Sequence, residues 1–355
     1  MLLDLKIAAD GTLPGLTAET LPITTTAMFM GWFVSCLLSE RALTFFTKEQ
    51  MLVSHMVAMV LVALATVTLP SLTAYSLAVL TAVRFIQGLL LNGVTGILQT
   101  FILENTREQW RTPMITSQST AYSLVTILMS CICSTNLDWR AEELLWCGLP
   151  PLLVLLAFFP NWRQTLGAMD WSLSKDKLEW EAVDFGEESK WRNIAALGLC
   201  FLTCSACFYG LSYSAGKLSE NPYMSTILLH GADILGYVAV LGAREVNRNK
   251  VQYIGFIGAA ICLIICSTGE PGSGSVLTFA MIGRLCLDVC FTTVYLALAD
   301  IFKGSSQKDA LAICEVAARV GGIIAPFCGT LPTTTFCPLF AGLCLASARA
   351  TALLP

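Results

Sequence analysis

Apolar runs long enough to cross a lipid bilayer recur along almost the whole chain. A membrane-spanning helix needs about 20 mostly apolar residues, and eleven such runs can be placed in the 355 residues. They are centred on residues 21–38, 50–70, 75–103, 113–136, 141–160, 192–214, 222–243, 251–268, 275–299, 310–330 and 336–355. Since only 13% of the residues are charged, little of the chain is left for water. The sequence therefore predicts an all-α, polytopic membrane protein with about 11 transmembrane helices.

One charged stretch interrupts this apolar pattern. Residues 161–191 mix acidic and basic residues with tryptophans, and we interpret them as a cytosolic connector between two halves. The chain then divides into a short extracellular tail, a bundle of five spans, the connector and a bundle of six spans, at residues 1–20, 21–160, 161–191 and 192–355. Each half has a long helix with an interior arginine and a carboxylate at its end, as in Arg84 to Glu104. Such repetition is typical of transporters that bind substrate between repeats.

The basic residues of the loops predict the orientation. Fourteen lysines and arginines fall on one side of the predicted spans, and only Lys6, Arg140 and Lys217 fall on the other. Because cytoplasmic loops carry the excess of Lys and Arg, we expect the N-terminus outside and the C-terminus in the cytoplasm. The first 20 residues lack the apolar core and cleavage site of a secretory signal. We expect a multi-pass protein of the plasma membrane.

Several functional classes are disfavoured by the sequence. The basic residues form no run that could follow a phosphate backbone, so nucleic acid is not an expected partner. No G-x-S-x-G, H-E-x-x-H, P-loop or G-x-G-x-x-G motif occurs in an enzyme context, so neither catalysis nor a cofactor is expected. Nearly all of the 15 cysteines lie in apolar runs and are interpreted as small buried thiols. No metal site is expected, and the lipid bilayer and a small solute are the expected partners.

Arg319 is the first candidate functional residue. It lies in the apolar run ALAICEVAARVGGIIAPF, where a cation near the bilayer centre costs about 2.5–3.5 kcal/mol on insertion scales. Such a residue must face protein, water or a ligand, and a role in substrate binding is favoured. The alternative is internal neutralisation, because Glu315 stands four residues earlier on the same helical face.

Further ionisable residues lie within the predicted spans. Arg284 and Asp288 stand four residues apart, so their charges either neutralise one another, or the carboxylate serves as a proton relay or contacts a cation. His230 and Asp233 stand three apart and form either a polar contact or a proton-coupled pair. Arg84, followed one turn later by Gln87, is expected to line or brace a cavity. The candidate substrate-binding residues are Arg319, Arg284, Asp288, Arg84 and Gln87.

Charged residues at the predicted cytosolic helix ends form a second group. They are interpreted either as ordinary interface charges or as a latch that closes the cytosolic mouth in one state of a rocking cycle. This cytosolic latch comprises Glu40, Arg41, Glu104, Arg111, Arg244, Arg248 and Asp300.

Two segments resemble a known family without gaps. Residues 84–111 resemble the fourth helix and following turn of the organic cation, anion and zwitterion transporter family of the major facilitator superfamily. Residues 283–326 resemble the family's tenth and eleventh helices, and the Asp138-Trp139-Arg140 triplet fits the turn before its sixth helix. The resemblance implies a two-bundle carrier that works by alternating access.

The resemblance also implies a substrate class. Anion and zwitterion carriers of this family have an arginine at the position matched by Arg319, whereas cation carriers have an aspartate. An anion or a carboxylate-bearing zwitterion is therefore the favoured substrate, since a guanidinium offers a bidentate fork to a carboxylate. The identity of a coupling ion, either a proton or sodium, is left open by the sequence.

The chain also departs from the family pattern. Leu43 follows where a basic cytosolic motif is expected, Gln307 replaces an arginine, and 160–162 replace a Pro-Glu-Ser stretch. The family's first helix and its large outer loop are not matched, and no N-x-S/T sequon occurs. The competing hypothesis is therefore a truncated or divergent membrane protein without transport activity, acting as a scaffold or regulatory partner.

Overall fold

The computed structural model describes residues 4, 16–17, 20–68, 76–105, 108–135, 137–158, 187–218, 221–303 and 305–355. All secondary structure elements in these ranges are helices. In chain order they are α1 (Leu21–Phe45), α2 (Lys48–Val67), α3 (Ser76–Asn105), α4 (Glu108–Cys133), α5 (Trp139–Glu143), a π-helical turn π1 (Leu144–Gly148), α6 (Leu149–Phe158), α7 (Glu187–Tyr213), α8 (Ala215–Leu218), α9 (Pro222–Gly242), α10 (Arg248–Thr268), α11 (Gly274–Ile301), α12 (Ser305–Thr330) and α13 (Thr333–Thr351).

Helical structure is present at all eleven predicted spans, so the all-α, polytopic prediction is confirmed. Eight of the described helices are long and apolar enough to cross a membrane, namely α1, α2, α3, α7, α9, α10, α11 and α12. The other three predicted spans are less apolar or less continuous. Helix α4 is rich in Ser, Thr and Gln, α13 carries threonines and Arg349, and the segment from α5 to α6 is divided by π1.

Side-chain caps define where several helices begin. Thr47 accepts a hydrogen bond from the backbone N–H of Gln50, whose side chain accepts one from the backbone of Thr47, and this reciprocal pair starts α2. Asn221 caps α9 and Ser273 caps α11 in the simpler one-way manner. Each cap satisfies N–H groups that the first helical turn leaves without partners. Apolar sequence then continues each helix, because lipid offers no alternative partner for the backbone.

The helices group into two compact units. Unit 1 comprises residues 1–106 and 135–179, and unit 2 comprises residues 107–134 and 180–355. Helix α4, which the sequence analysis places in the first bundle, groups with unit 2 through its packing on α9. The predicted bundle boundaries at 21–160 and 192–355 stay a prediction. The tail at 1–20 and the connector at 161–191 lie mostly outside the described residues, although α7 already begins at Glu187.

Burial distinguishes central from peripheral helices within each unit. In unit 2, 72% of the spanning window is buried in both α7 and α11, which contact one another and most of their neighbours. In unit 1, only 17% of the α2 window is buried, and apolar side chains such as Leu61 face outward. An outward apolar face is what a lipid-facing helix requires. The interior of unit 2 can therefore surround buried polar groups with protein.

Candidate functional site

A buried ionic cluster in unit 1 surrounds Arg84. Its guanidinium donates to Asp4 Oδ1 from Nε at 3.0 Å and from Nη2 at 2.5 Å. Nη1 donates to both carboxylate oxygens of Glu143 at 3.1 Å and to Gln87 Oε1 at 2.6 Å. Gln87 in turn donates to Glu143 Oε1 at 2.7 Å, and Thr24 donates to Asp4 Oδ2 at 3.3 Å. Arg84 is thus braced by two acids of its own chain.

This unit 1 cluster depends on three separate segments. Helix α3 presents Arg84 and Gln87 one turn apart on the same face, while Glu143 ends α5 where the chain enters π1. Asp4 belongs to the predicted extracellular tail, yet only 1% of its surface is exposed. Arg84 and Gln87 were predicted from the sequence as candidate site residues, whereas neither acid was. Glu143 carried a usable signal, because an acid inside an otherwise apolar run requires a partner.

A second buried cluster lies in unit 2 around Arg284 on α11. Nε donates to Asp233 Oδ1 at 2.8 Å and Nη2 donates to Asp233 Oδ2 at 3.1 Å, which is a bidentate arrangement. Nη1 donates to the Phe208 backbone carbonyl and to Ser212 Oγ, the latter at 2.8 Å. The guanidinium carbon lies 3.3 Å from the centre of the Phe208 ring. The four hydrogen bonds that Arg284 donates here are thus accepted by groups of α7 and α9.

The remaining members of the unit 2 cluster are held less closely. Asp288 Oδ2 lies 3.8 Å from Arg284 Nε, and the Tyr237 hydroxyl donates to Asp288 Oδ1 at 3.5 Å. His230 Nδ1 lies 2.7 Å from Asp233 Oδ2, so the pair predicted at a spacing of three residues is present. Arg284, Asp233 and Asp288 have side chains that are 0% exposed. The predicted Arg284–Asp288 pair is present as a weaker contact, because Asp233 on α9 takes the closer position.

Arg319 contacts Glu315 on the preceding turn of α12. Arg319 Nη2 donates to Glu315 Oε2, and the Tyr295 hydroxyl donates to Glu315 Oε1 at 2.5 Å. Tyr295 reaches this acid from α11. The side chains of Arg319 and Glu315 are 8% and 17% exposed, which makes this pair more accessible than the ion pairs of Arg84 and Arg284. The pair predicted as the alternative to ligand binding is therefore present.

Of the residues predicted to form a cytosolic latch, Arg248 and Asp300 form an ion pair. Arg248 Nη1 donates to Asp300 Oδ2 at 2.8 Å and to the Leu296 carbonyl at 3.0 Å, which links the start of α10 to the end of α11. Among the described residues, Arg244 pairs with its neighbour Glu245, at 3.9 Å and in an exposed position. Arg41 is exposed and Arg111 is buried. The side chains of Glu40 and Glu104 lie outside the described residues.

One cavity of about 440 Å³ opens at an end of unit 2. It is lined by Gly216, Lys217, Pro271, Gly272, Pro332, Thr333 and Thr334, none of which the sequence analysis proposed as a site. Lys217 Nζ donates to the carbonyls of Gly329 at 2.8 Å and Leu331 at 2.7 Å. Burial disfavours the charged ammonium and lowers the pKa of Lys217 below its ordinary value. Lys217 therefore supplies hydrogen-bond donors to carbonyls at the end of α12, where the last carbonyls lack helical partners.

Metal binding gains no support from the described part of the chain. No group of three or more His, Cys, Asp or Glu side chains in it is arranged to hold a metal ion. The thiols of Cys207 and Cys344 approach to 3.9 Å across α7 and α13, without a histidine or carboxylate to complete a site.

Comparison with known proteins gives relatives in one family. No family model matches the chain. The chain is 30% identical over 138 residues to solute carrier family 22 member 15 of Xenopus tropicalis, covering 36% of this chain and 26% of that protein. It is 21% identical over 337 residues to solute carrier family 22 member 13 of Homo sapiens, covering 85% of this chain and 60% of that protein. The chain thus spans less than two thirds of the length of these relatives.

A solved structure decides the fold. The proton:xylose symporter XylE bound to 6-bromo-6-deoxy-D-glucose, a major facilitator superfamily protein, superposes with a TM-score of 0.74 at 16% identity. The match covers 98% of this chain and 89% of XylE. The chain has the major facilitator superfamily fold. Together with the solute carrier relatives, this confirms the predicted resemblance to the superfamily's organic ion transporters. A major facilitator fold with eight candidate spans also makes the chain a multi-pass membrane protein.

Proposed function

We propose that this chain transports small organic ions across the membrane by alternating access, with a preference for anions or carboxylate-bearing zwitterions. The major facilitator fold and the solute carrier relatives support the transport of an organic solute. The observation that carries the substrate preference is the Arg319–Glu315–Tyr295 arrangement. It places a buried guanidinium beside a partly exposed acid, Glu315, that a tyrosine holds from the other side.

The geometry at Arg319 suggests how a substrate would bind. A guanidinium has five N–H donors in a planar fork, so one carboxylate of the protein does not exhaust it. A substrate carboxylate would share or replace the contact with Glu315, and the hydroxyl of Tyr295 would retain the displaced acid. Arg84 and Arg284 each face two acids of the chain itself, so their role in this proposal is to brace the unit in which each lies.

The remaining functional assignments complete the proposal. Arg248 and Asp300 form a cytosolic latch that opens and closes with the transport cycle, since their pair joins two helix ends and is partly exposed. The N-terminus lies outside and the C-terminus lies in the cytoplasm of a plasma membrane protein. A proton or sodium is the candidate coupling ion.

The test is solute uptake by the purified chain in proteoliposomes. Labelled organic anion, carnitine-like zwitterion and organic cation probes are compared in wild type, Arg319→Ala and Arg319→Asp. Arg349→Ala is the matched control, because Arg349 lies exposed on α13. We expect uptake of the anion or zwitterion, its loss in both Arg319 variants and its retention in the control. Uptake that persists in both variants would remove Arg319 from the proposal.

A second variant tests the competition between Glu315 and substrate. Glu315→Gln removes the internal negative charge while keeping the shape of the side chain. If the internal pair opposes substrate binding by about 1.4 kcal/mol, the KM for an anion should fall about tenfold. An unchanged KM would indicate that Glu315 and the substrate do not compete.

One observation favours the alternative of a membrane protein without transport activity. Each of the three arginines proposed as substrate-binding residues, Arg84, Arg284 and Arg319, contacts a carboxylate of the chain itself, as internal neutralisation requires. The uptake experiment separates the two proposals, because a correctly folded, reconstituted chain that admits none of the probes supports the scaffold or regulatory role.

A further inference from the structure

The charges of the buried cluster in unit 2 do not balance. One guanidinium, Arg284, faces two carboxyl groups, Asp233 and Asp288, and all three side chains are 0% exposed. With both acids ionised and His230 neutral, the cluster would carry a net charge of −1. An uncompensated charge is strongly disfavoured where water is excluded, and such a site neutralises itself by binding a proton.

The hydrogen bonds of the two acids differ sharply. Asp233 receives two guanidinium N–H donors at 2.8 and 3.1 Å, and Ser123 Oγ lies 3.5 Å from its Oδ2. Asp288 has a long contact with the Tyr237 hydroxyl at 3.5 Å and lies 3.8 Å from Arg284 Nε, and its Oδ2 accepts no hydrogen bond from the described residues. Ionised carboxylates are stabilised by several donors, so Asp233 fits the charged form and Asp288 fits the neutral acid.

We propose that Asp288 is a buried proton-binding residue, which holds one proton at neutral pH beside the ionised Arg284–Asp233 pair. The proton makes the cluster electrically neutral and turns the unsatisfied carboxyl into a group that can itself donate a hydrogen bond. Two acids sharing one guanidinium behave as a coupled pair, so the site takes up one proton rather than two. This proposal does not depend on transport activity, since it concerns binding by the folded chain.

The surroundings leave one competitor for that proton. The polar and ionisable groups of the helices packed on α11 include Tyr122 and Ser123 on α4, Cys204, Tyr209 and Ser212 on α7, Lys217 on α8, His230, Asp233 and Tyr237 on α9, Gln252 and Cys262 on α10, and Glu315 and Arg319 on α12. Among them, only an imidazole ordinarily changes charge near neutral pH. His230 Nδ1 lies 2.7 Å from Asp233 Oδ2, so a proton on His230 would balance the cluster equally well.

Infrared spectroscopy separates these two sites. A protonated carboxylic acid has a C=O stretching band distinct from that of a carboxylate, and the band shifts when the protein is transferred to D₂O. The purified chain in lipid nanodiscs is measured at neutral pH in sodium and in choline buffers. We expect an acid band in wild type that is absent in Asp288→Asn and retained in His230→Gln. Asp309→Asn, at an exposed acid of α12, is the control and should leave the band unchanged.

Three results would overturn the proposal. They are the absence of an acid band in wild type, its persistence in Asp288→Asn, and its appearance only after sodium is removed. Because a variant that unfolds would also lose the band, Asp288→Glu is measured as well and should retain an acid band at a shifted frequency. Thermal melting provides an independent readout. Asp288→Asn, which imitates the neutral acid, should melt close to wild type, whereas Asp233→Asn should melt at a clearly lower temperature.

Discussion

Helices α1 and α3 cross so closely in unit 1 that an added methyl group should force them apart. A Cβ atom on Gly88 would lie 1.9 Å from the Met28 carbonyl oxygen, and a Cβ atom on Gly31 would lie 2.0 Å from the Phe85 carbonyl oxygen. Ordinary contact begins at 3.4 Å. Both obstacles are backbone atoms, which cannot rotate away. The Gly88→Ala substitution therefore requires the two helices to separate by roughly 1.5 Å, as the overlap implies.

The cost of this separation follows from the packing that it disrupts. A gap of 0.5–1 Å already forfeits about a quarter to a half of the dispersion energy at a contact, and overpacking typically costs about 1–3 kcal/mol. Alanine recovers about 1 kcal/mol through its higher helix propensity. We therefore expect Gly88→Ala to destabilise unit 1 by about 2 kcal/mol, which corresponds to a decrease in Tm of roughly 4–8 °C.

Thermal unfolding in nanodiscs measures the global effect of Gly88→Ala on stability. Chemical labelling of Cys36 measures the local separation of α1 from α3. Cys36 Sγ and Trp32 Nε1 both donate to Asn92 Oδ1 at 3.3 Å across the same helix pair, so separation should increase the labelling rate of Cys36. Gly231→Ala is the matched control, because nothing lies within 4 Å of a Cβ atom at that helical position. It should raise stability by up to about 1 kcal/mol.

The double variant provides a further check. Once Gly88→Ala has separated α1 from α3, adding Gly31→Ala should cost much less than it does alone, because both act on one interface. A Gly88→Ala variant with the Tm and Cys36 labelling of wild type would refute the close crossing. Additive effects of the two substitutions would likewise show that they do not disrupt the same contact.

Three further substitutions test the polar contacts. Arg84→Met removes the partner of two buried carboxylates and should cost about 3–5 kcal/mol, measured as a loss of Tm. Arg248→Ala should cost only about 0.2–1 kcal/mol, because its pair with Asp300 is partly exposed, and the difference in Tm should shrink at high salt. Lys217→Met should cost about 0.5–1.5 kcal/mol, because it removes the donor to two carbonyls that water can partly reach. Burial lowers the pKa of Lys217, so the unfolded chain binds more protons in alkaline buffer and wild-type stability should rise there with pH; the Met variant should lack that rise.

The helices could be predicted from the sequence because lipid restricts the backbone so strongly. An apolar run of spanning length has no alternative to the helix, since every N–H and C=O must be satisfied within the segment. Which unit α4 belongs to was harder to predict from the sequence. The chain enters α4 directly after α3, yet α4 packs on α9, far along the sequence. Hydrophobicity specifies that a segment is a helix, but side-chain fit specifies which helix becomes its neighbour.

The local part of the ionic chemistry was also predictable. Arg319 and Glu315 are four residues apart, and His230 and Asp233 are three apart, so one helix suffices to bring each pair together. Contacts between helices were not predictable in this way. Arg84 contacts Asp4 and Glu143 from sequence separations of 80 and 59 residues. No periodicity in a single sequence encodes such distances.

Arg284 shows why local spacing is an insufficient guide inside a membrane protein. The spacing of four residues predicted neutralisation by Asp288, and the two groups do approach, but at 3.8 Å rather than at hydrogen-bonding distance. Asp233 is 51 residues away in sequence and takes both guanidinium contacts, because α9 presents it in the plane of the fork. An acid that appeared to be a partner thus becomes a surplus acid. Where water is excluded, a surplus acid has to be neutralised by a further ligand. The surplus acid became recognisable only when the predicted Arg284–Asp288 and His230–Asp233 pairs proved to be one cluster.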